Sequence, residues 1–245
     1  MARASGGARR AAMRLTEELV ALVERLEPDP GPEPGTREHN TAEYAQMVAA
    51  LLVEYQPEEL WVFAYGSLIW NPEFDFLEHC PAVASGWHRA FCLRLTRWRG
   101  TREVPALMLA LDRGGSCSGI AYRLPPGDRR AQLDRVVRRE IDANPPTNVP
   151  RWINVKTDRG HLRALAFVAD PVGPAYVGRL PLDEVADVLA RAAGHWGSAA
   201  QYLFRTVSKL EEHGIRDRNL WQLQDLVARK ILATVEAALL PLDRG

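Results

Sequence analysis

Between residues 60 and 169 the chain carries short runs rich in β-branched or aromatic residues, and this series constrains the fold more than any other feature. The runs lie at 60–65, 83–96, 106–112, 117–124, 152–156 and 162–169. Such composition suits a pleated, half-buried surface. Gly86, Gly100, Gly114-Gly115 and Gly160 punctuate the series, each a point where the backbone is free to turn or bulge. The runs 106–112 and 117–124, joined through Arg113-Gly114-Gly115-Ser116, are expected to form a hairpin. A helix is predicted over 128–141, between the fourth and fifth runs.

The flanks read as helical. From Leu15, apolar residues recur at helical spacing through Leu19, Leu22, Val23 and Leu26. The stretch Pro28–Gly35 cannot continue a helix and reads as a linker. Asn40 with Glu43 forms a cap for a second helix, which runs through Met47, Leu51 and Leu52 and stops before Pro57. Toward the C-terminus, Ser198 with Gln201 makes another capping box. Tyr202, Leu203, Val207 and Leu210 follow as a buried stripe, Gly214 ends that helix, and a last one lies near 219–235. Many strands between terminal helices indicate an α+β fold with a strongly curled or closed sheet. Residues 1–12 are Arg/Ala/Gly-rich and are expected to be disordered. Residues 1–40 read as a flexible or helical extension with a Pro/Gly linker, and 41–240 as a single domain.

Several function classes fall away on composition. Lys and Arg total 31, as do Asp and Glu, giving zero formal net charge, whereas a nucleic-acid binder shows a basic surplus on one face. Cys80, Cys92 and Cys117 are too few and too scattered for a disulfide framework or a zinc knuckle, and are expected to be buried reduced thiols. No apolar run approaches the ~20 residues of a membrane span. The N-terminal residues lack the apolar core of a secretory signal. A cytoplasmic protein acting on a small molecule is expected, with no nucleic-acid or membrane partner. The histidines show no paired-ligand spacing, so a metal site is not expected.

Two places hold residues suited to chemistry. On the predicted 128–141 helix, Leu133, Val136, Val137 and Glu140 share one face, which brings a carboxyl onto the stripe that should meet the core, while Arg135, Arg138 and Arg139 fan out to other faces. An ionised carboxyl in apolar surroundings either pairs or takes a proton with a raised pKa, and groups so tuned shuttle protons near neutral pH. The competing role is a buried ion pair with an arginine of a neighbouring strand, such as Arg94. The second place is Tyr65-Gly66-Ser67-Leu68, a glycine turn after the apolar run Leu60–Phe63. Successive backbone N–H groups beyond Gly66 can converge on a carboxylate or an oxyanion; otherwise this is a tight turn beside Trp70.

With these points in view the sequence resembles the ChaC-like γ-glutamylcyclotransferases. The resemblance is carried by WVFAYGSLIWNPEF (61–74), GWHRAFCLRLT (86–96), LALDRGGSCSGIAYRL (109–124), RRE (138–140) and AQYLFRTVSKLEEHGI (200–215), and runs from about 60 to 230. It implies a small closed mixed β-barrel decorated by helices, and cleavage of glutathione to 5-oxoproline and cysteinyl-glycine without a cofactor. It also implies that Tyr65, Gly66, Ser67 and Leu68 form the substrate-binding loop and that Glu140 is the catalytic acid/base. The family's usual Gly-x-Tyr to Pro-x-Trp stretch is replaced here by Asp142-Ala143-Asn144-Pro145-Pro146-Thr147-Asn148 before Val149-Pro150-Arg151-Trp152, and Pro105-Ala106 stands where Pro-Gly is common. The altered loop leaves room for another γ-glutamyl amide as substrate. A non-catalytic γ-glutamyl-binding or regulatory protein associated with ion transport is the alternative of a different class.

Overall fold

A computed structural model describes residues 12–239. The disorder expected near the N-terminus falls almost wholly outside that range. In chain order the elements are α1 (Glu17–Ala21), α2 (Thr41–Glu54), β1 (Trp61–Ala64), α3 (Ser67–Trp70), β2 (Glu78–Leu95), β3 (Ala106–Arg123), α4 (Arg129–Glu140), β4 (Asn148–Thr157), β5 (Gly160–Ala169), α5 (Leu182–Leu189), β6 (Ala193–Gly194), β7 (Gly197–Ser198), α6 (Ala199–Glu212) and α7 (Arg218–Leu239). Strands β1 to β5 close into a barrel in the order β1-β3-β2-β4-β5. Its sheet is mixed, because β5 runs parallel to β1 and β3 while the other pairs are antiparallel. The α+β barrel with surrounding helices is thus present, and closing the sheet leaves no open edge among these strands.

The expected hairpin across Gly114-Gly115 is not formed. The whole of 106–123 is one strand, and its hairpin partner is β2, paired from Glu78↔Arg123 to Leu95↔Ala106. The glycines have a different task. Register shifts between Ser85 and Trp87, which face Ser116 and Arg113, and Gly86, Gly114 and Gly115 all take positive φ there. The glycines therefore bend a long two-stranded ribbon through a bulge, where a turn would have reversed the chain. Pro81 and Pro150 lie inside β2 and β4, so both strands begin earlier than the sequence pattern suggests.

The largest fully buried side chains of these strands include Phe63, Leu111, Ile120, Leu165 and Phe167. Helix α4 lays Leu133, Val136 and Val137 onto the core, which is the face predicted for them. The Asn40–Glu43 capping box is complete. The second box is half made: Ser198 Oγ accepts from Gln201 N at 3.1 Å, while the Gln201 side chain reaches elsewhere. Residues 12–40 lie against the rest. Leu15 is fully buried, and the backbone N–H groups of Arg14 and Leu15 both donate to Gln224 Oε1 on α7 at 2.9 Å. Cys80, Cys92 and Cys117 are free thiols, the last two buried. Among the described residues no helix is long and apolar enough to cross a membrane, and no cluster of metal-ligating side chains occurs.

Candidate active site

Local chain geometry brings Glu140 to a cavity. It is the last residue of α4, on the buried stripe but at the helix end, where the stripe runs off the core onto open space. Its carboxyl, 12% exposed, lines a cavity of about 1310 Å³. Burial pushes the Glu140 pKa above the ordinary carboxylate range; the Arg139 guanidinium opposes that shift, and Glu73 and Asp142 add to it. The partial negative charge of a helix C-terminus acts in the same raising direction. The ion-pair partner is Arg139, the preceding residue, and not Arg94 as the sequence suggested. Arg139 does not fan away: it turns back to Glu140, donates to the carbonyl of Asn71 and faces Glu73 at 3.4 Å.

The glycine turn reaches the same cavity at one residue. Of Tyr65, Gly66, Ser67 and Leu68, only Ser67 lines it. The Tyr65 side chain points into the barrel, its hydroxyl donating to Phe167 O at 2.7 Å; Leu68 is buried in the core. Gly66 caps α3 without a side chain. A Cβ there would meet the Tyr202 hydroxyl at 2.8 Å, so the glycine lets the turn come up against that phenol. The turn is held from behind by Arg89, whose Nε donates to Tyr65 O at 2.6 Å and whose Nη1 pairs with Asp217 at 3.0 Å.

Two cavity-lining side chains escaped the sequence reading. Tyr202 stood on the predicted buried stripe of α6, yet its polar tip faces the cavity. Burial first, then the nearby Glu140 charge, push its pKa up to about 12, so it is a neutral donor at physiological pH. Arg99, in the loop after β2, lines the cavity with its guanidinium 5.5 Å from the Tyr202 ring; burial pulls its pKa down to about 10. A polar-tipped aromatic on a helix stripe was the available signal for Tyr202. None marked Arg99 among the chain's many arginines. The altered loop also takes part, through Asp142, Ala143 and Pro145–Asn148.

A closed mixed barrel, with a glycine turn after its first strand and a tuned carboxyl facing it across a cavity, defines a class of small-molecule site. The chain belongs to the ChaC-like protein family, whose model matches residues 60–230. It is similar to the glutathione-specific γ-glutamylcyclotransferase of Escherichia coli, with 39% identity over 77% of this chain and 81% of the relative. A mouse glutathione-specific γ-glutamylcyclotransferase 1 is 30% identical over 70% of this chain and 79% of its own length. A crystal structure titled as a yeast γ-glutamyl cyclotransferase specific to glutathione superposes with a TM-score of 0.62 at 23% identity, covering 71% of this chain and all of that one. That likeness bears on the fold.

Proposed function

We propose that this protein cleaves glutathione to 5-oxoproline and cysteinyl-glycine, with Glu140 as general acid and base. The observation that carries the reading is the raised, cavity-facing carboxyl of Glu140 beside the turn at Ser67. The relatives named as glutathione-specific cyclotransferases support the substrate.

The chemistry needs little beyond positioning. Glu140 takes a proton from the substrate's α-ammonium. The freed nitrogen attacks the γ-carbonyl carbon, forming the C–N bond of a five-membered lactam. The same carboxyl returns that proton to the cysteinyl nitrogen as its bond to the γ-carbon breaks, and then relays the second proton shed by the lactam nitrogen to the departing amine, which leaves as an ammonium. Atoms balance without water or a cofactor. Nucleophile and electrophile belong to one molecule, so holding the γ-glutamyl chain in its cyclising rotamer removes much of the entropic barrier. The Ser67 N–H donates to the Tyr202 hydroxyl, which leaves that hydroxyl's own proton for an oxygen of that half of the substrate.

Purified protein given glutathione is expected to release 5-oxoproline and cysteinyl-glycine in equal amounts. Glu140→Gln should keep the fold and lower turnover by roughly 10²–10⁴-fold, the usual contribution of a positioned acid/base. Wild-type-like rates in that variant would refute the role of Glu140. Because the altered 142–148 loop lines the cavity, the assay is run beside γ-glutamyl dipeptides. Faster turnover of these would move the substrate to another γ-glutamyl amide, and no turnover of any would leave a binding protein.

A further inference from the structure

The cavity is not built by the family-matched residues alone. Glu24, Leu26, Pro34, Thr36 and Arg37 line it too, and all lie before the matched region 60–230. This segment is fastened across the site at several points. Asp29 accepts two hydrogen bonds from Arg97, at 2.8 and 2.7 Å. Arg37 exchanges both main-chain bonds with Asn144, at 3.1 and 2.8 Å. Glu24 engages the start of α6, accepting from Ser198 N at 3.2 Å, Ser198 Oγ at 2.9 Å and Gln201 Nε2 at 3.4 Å. Gly197 makes room for it, since a Cβ there would lie 2.6 Å from Glu24 Oε1.

The contact at Gln201 has a chemical consequence. A carboxylate only accepts hydrogen bonds and a guanidinium only donates them. With its amide nitrogen held by Glu24, Gln201 must turn its oxygen the other way, and Oε1 accepts from Arg99 Nη1 at 3.1 Å. The same nitrogen donates to Ser198 O at 2.9 Å. Arg99 is thus fixed by two neutral acceptors, and the Glu24 carboxylate acts on its charge only from beyond 4.0 Å.

A charge census of the cavity sets Arg99 apart. Arg97 is paired with Asp29, Arg37 with Glu43, Arg138 with Asp134, and Arg139 with Glu140 and Glu73. Arg94 and Arg205 are exposed to water. Arg99 is the partly buried cation of the lining without a carboxylate within 4.0 Å among the described residues. A desolvated guanidinium in that state is a receptor for a planar carboxylate, which it binds through charge-assisted hydrogen bonds.

We infer that Arg99 receives a carboxylate of the substrate, and that Glu24, through Gln201, is the positioning residue that aims it. This rests on the proposed cyclotransferase reading, and it names the recognition that the reaction itself does not require. Glutathione offers two carboxylates, on the γ-glutamyl α-carbon and on glycine. The test therefore compares glutathione with its glycine monoethyl ester, in the wild type, Arg99→Met, Arg99→Lys and Glu24→Gln. Arg99→Met should raise KM for glutathione roughly 10–100-fold, the loss of one charge-assisted pair, with kcat changed far less and Arg99→Lys restoring part of the loss. Glu24→Gln should raise KM in the same direction by a smaller factor, because its amide no longer dictates the orientation of Gln201. If the Arg99→Met defect vanishes on the ester, the partner is the glycyl carboxylate; if it persists, the partner is the α-carboxylate. An unchanged KM in Arg99→Met, with circular dichroism confirming the fold, overturns the assignment. An unchanged KM in Glu24→Gln beside a defective Arg99→Met overturns the positioning role. A wild type inert toward both compounds overturns the cyclotransferase reading itself, and this inference with it.

Discussion

Glu140 and Arg139 are adjacent in sequence, and neighbours at that spacing do not face one another along a regular helix. They meet here because α4 ends at Glu140, freeing both side chains to swing over the cavity. The carboxyl was legible from its place on the apolar stripe; the guanidinium was not, since periodicity stops informing at a helix terminus. The pairing sets a pH dependence. Glu140 must be ionised to take a proton, and burial holds its pKa above the usual range while Arg139 pulls it down. The acid limb of kcat/KM is therefore expected above pH 4.5. Arg139→Gln should move that limb to higher pH, and an unmoved limb in a pH–rate profile would contradict the coupling. Stability follows by linkage. A folded-state pKa above the unfolded one gives a contribution fully present below the unfolded pKa and lost as pH rises through the folded value. At neutral pH the ionised carboxyl is thus a burden on the fold. Glu140→Gln is expected to melt no lower than the wild type at pH 7.5, and a clear fall in Tm would show the carboxylate to be structural.

The strand elements were largely visible because β-branched and aromatic runs mark them, while their pairing was misread at Gly114-Gly115. Two glycines between strand-like runs have the composition of a turn, and only the partner strand reveals a bulge: Gly86 stands opposite and shares the bend. Arg89, just after that bend, ties three elements together. Its side chain is 1% exposed, and it bonds the carbonyls of Tyr65 and Ser118 and the carboxylate of Asp217 before α7. Removing one partner of such a buried pair strands the other charge, which costs about 3–5 kcal/mol; Asp217 keeps partial access to water, which puts the expected loss near the lower end. Arg89→Met should lower the urea-unfolding free energy by about 3 kcal/mol, a loss below about 1 kcal/mol being inconsistent with this role.

Across the whole molecule charge sums to zero, and the cavity lining comes close to it, with eight arginines against five glutamates and Asp142. The small cationic surplus of this lining acts on an anionic substrate over distances that salt screens, the Debye length being about 10 Å at 0.1 M. Raising NaCl from about 0.05 to 0.5 M is therefore expected to lower kcat/KM for glutathione while kcat holds. A salt-independent kcat/KM would mean that the cleft's field plays no part in capture. The least legible part of the site was Pro28–Gly35. Proline and glycine correctly forbade a helix, but a chain without regular secondary structure shows no sign in sequence of partners some 70 residues away, such as Arg97 and Arg102.

Leu15 and Gln224 meet at opposite ends of the described chain, and the wall they help to anchor shares α6 with the cavity. A ribosome delivers α7 after every other described element, so during synthesis the early residues wait with their docking surface missing. Turnover should therefore appear only once α7 has emerged and packed against the early residues.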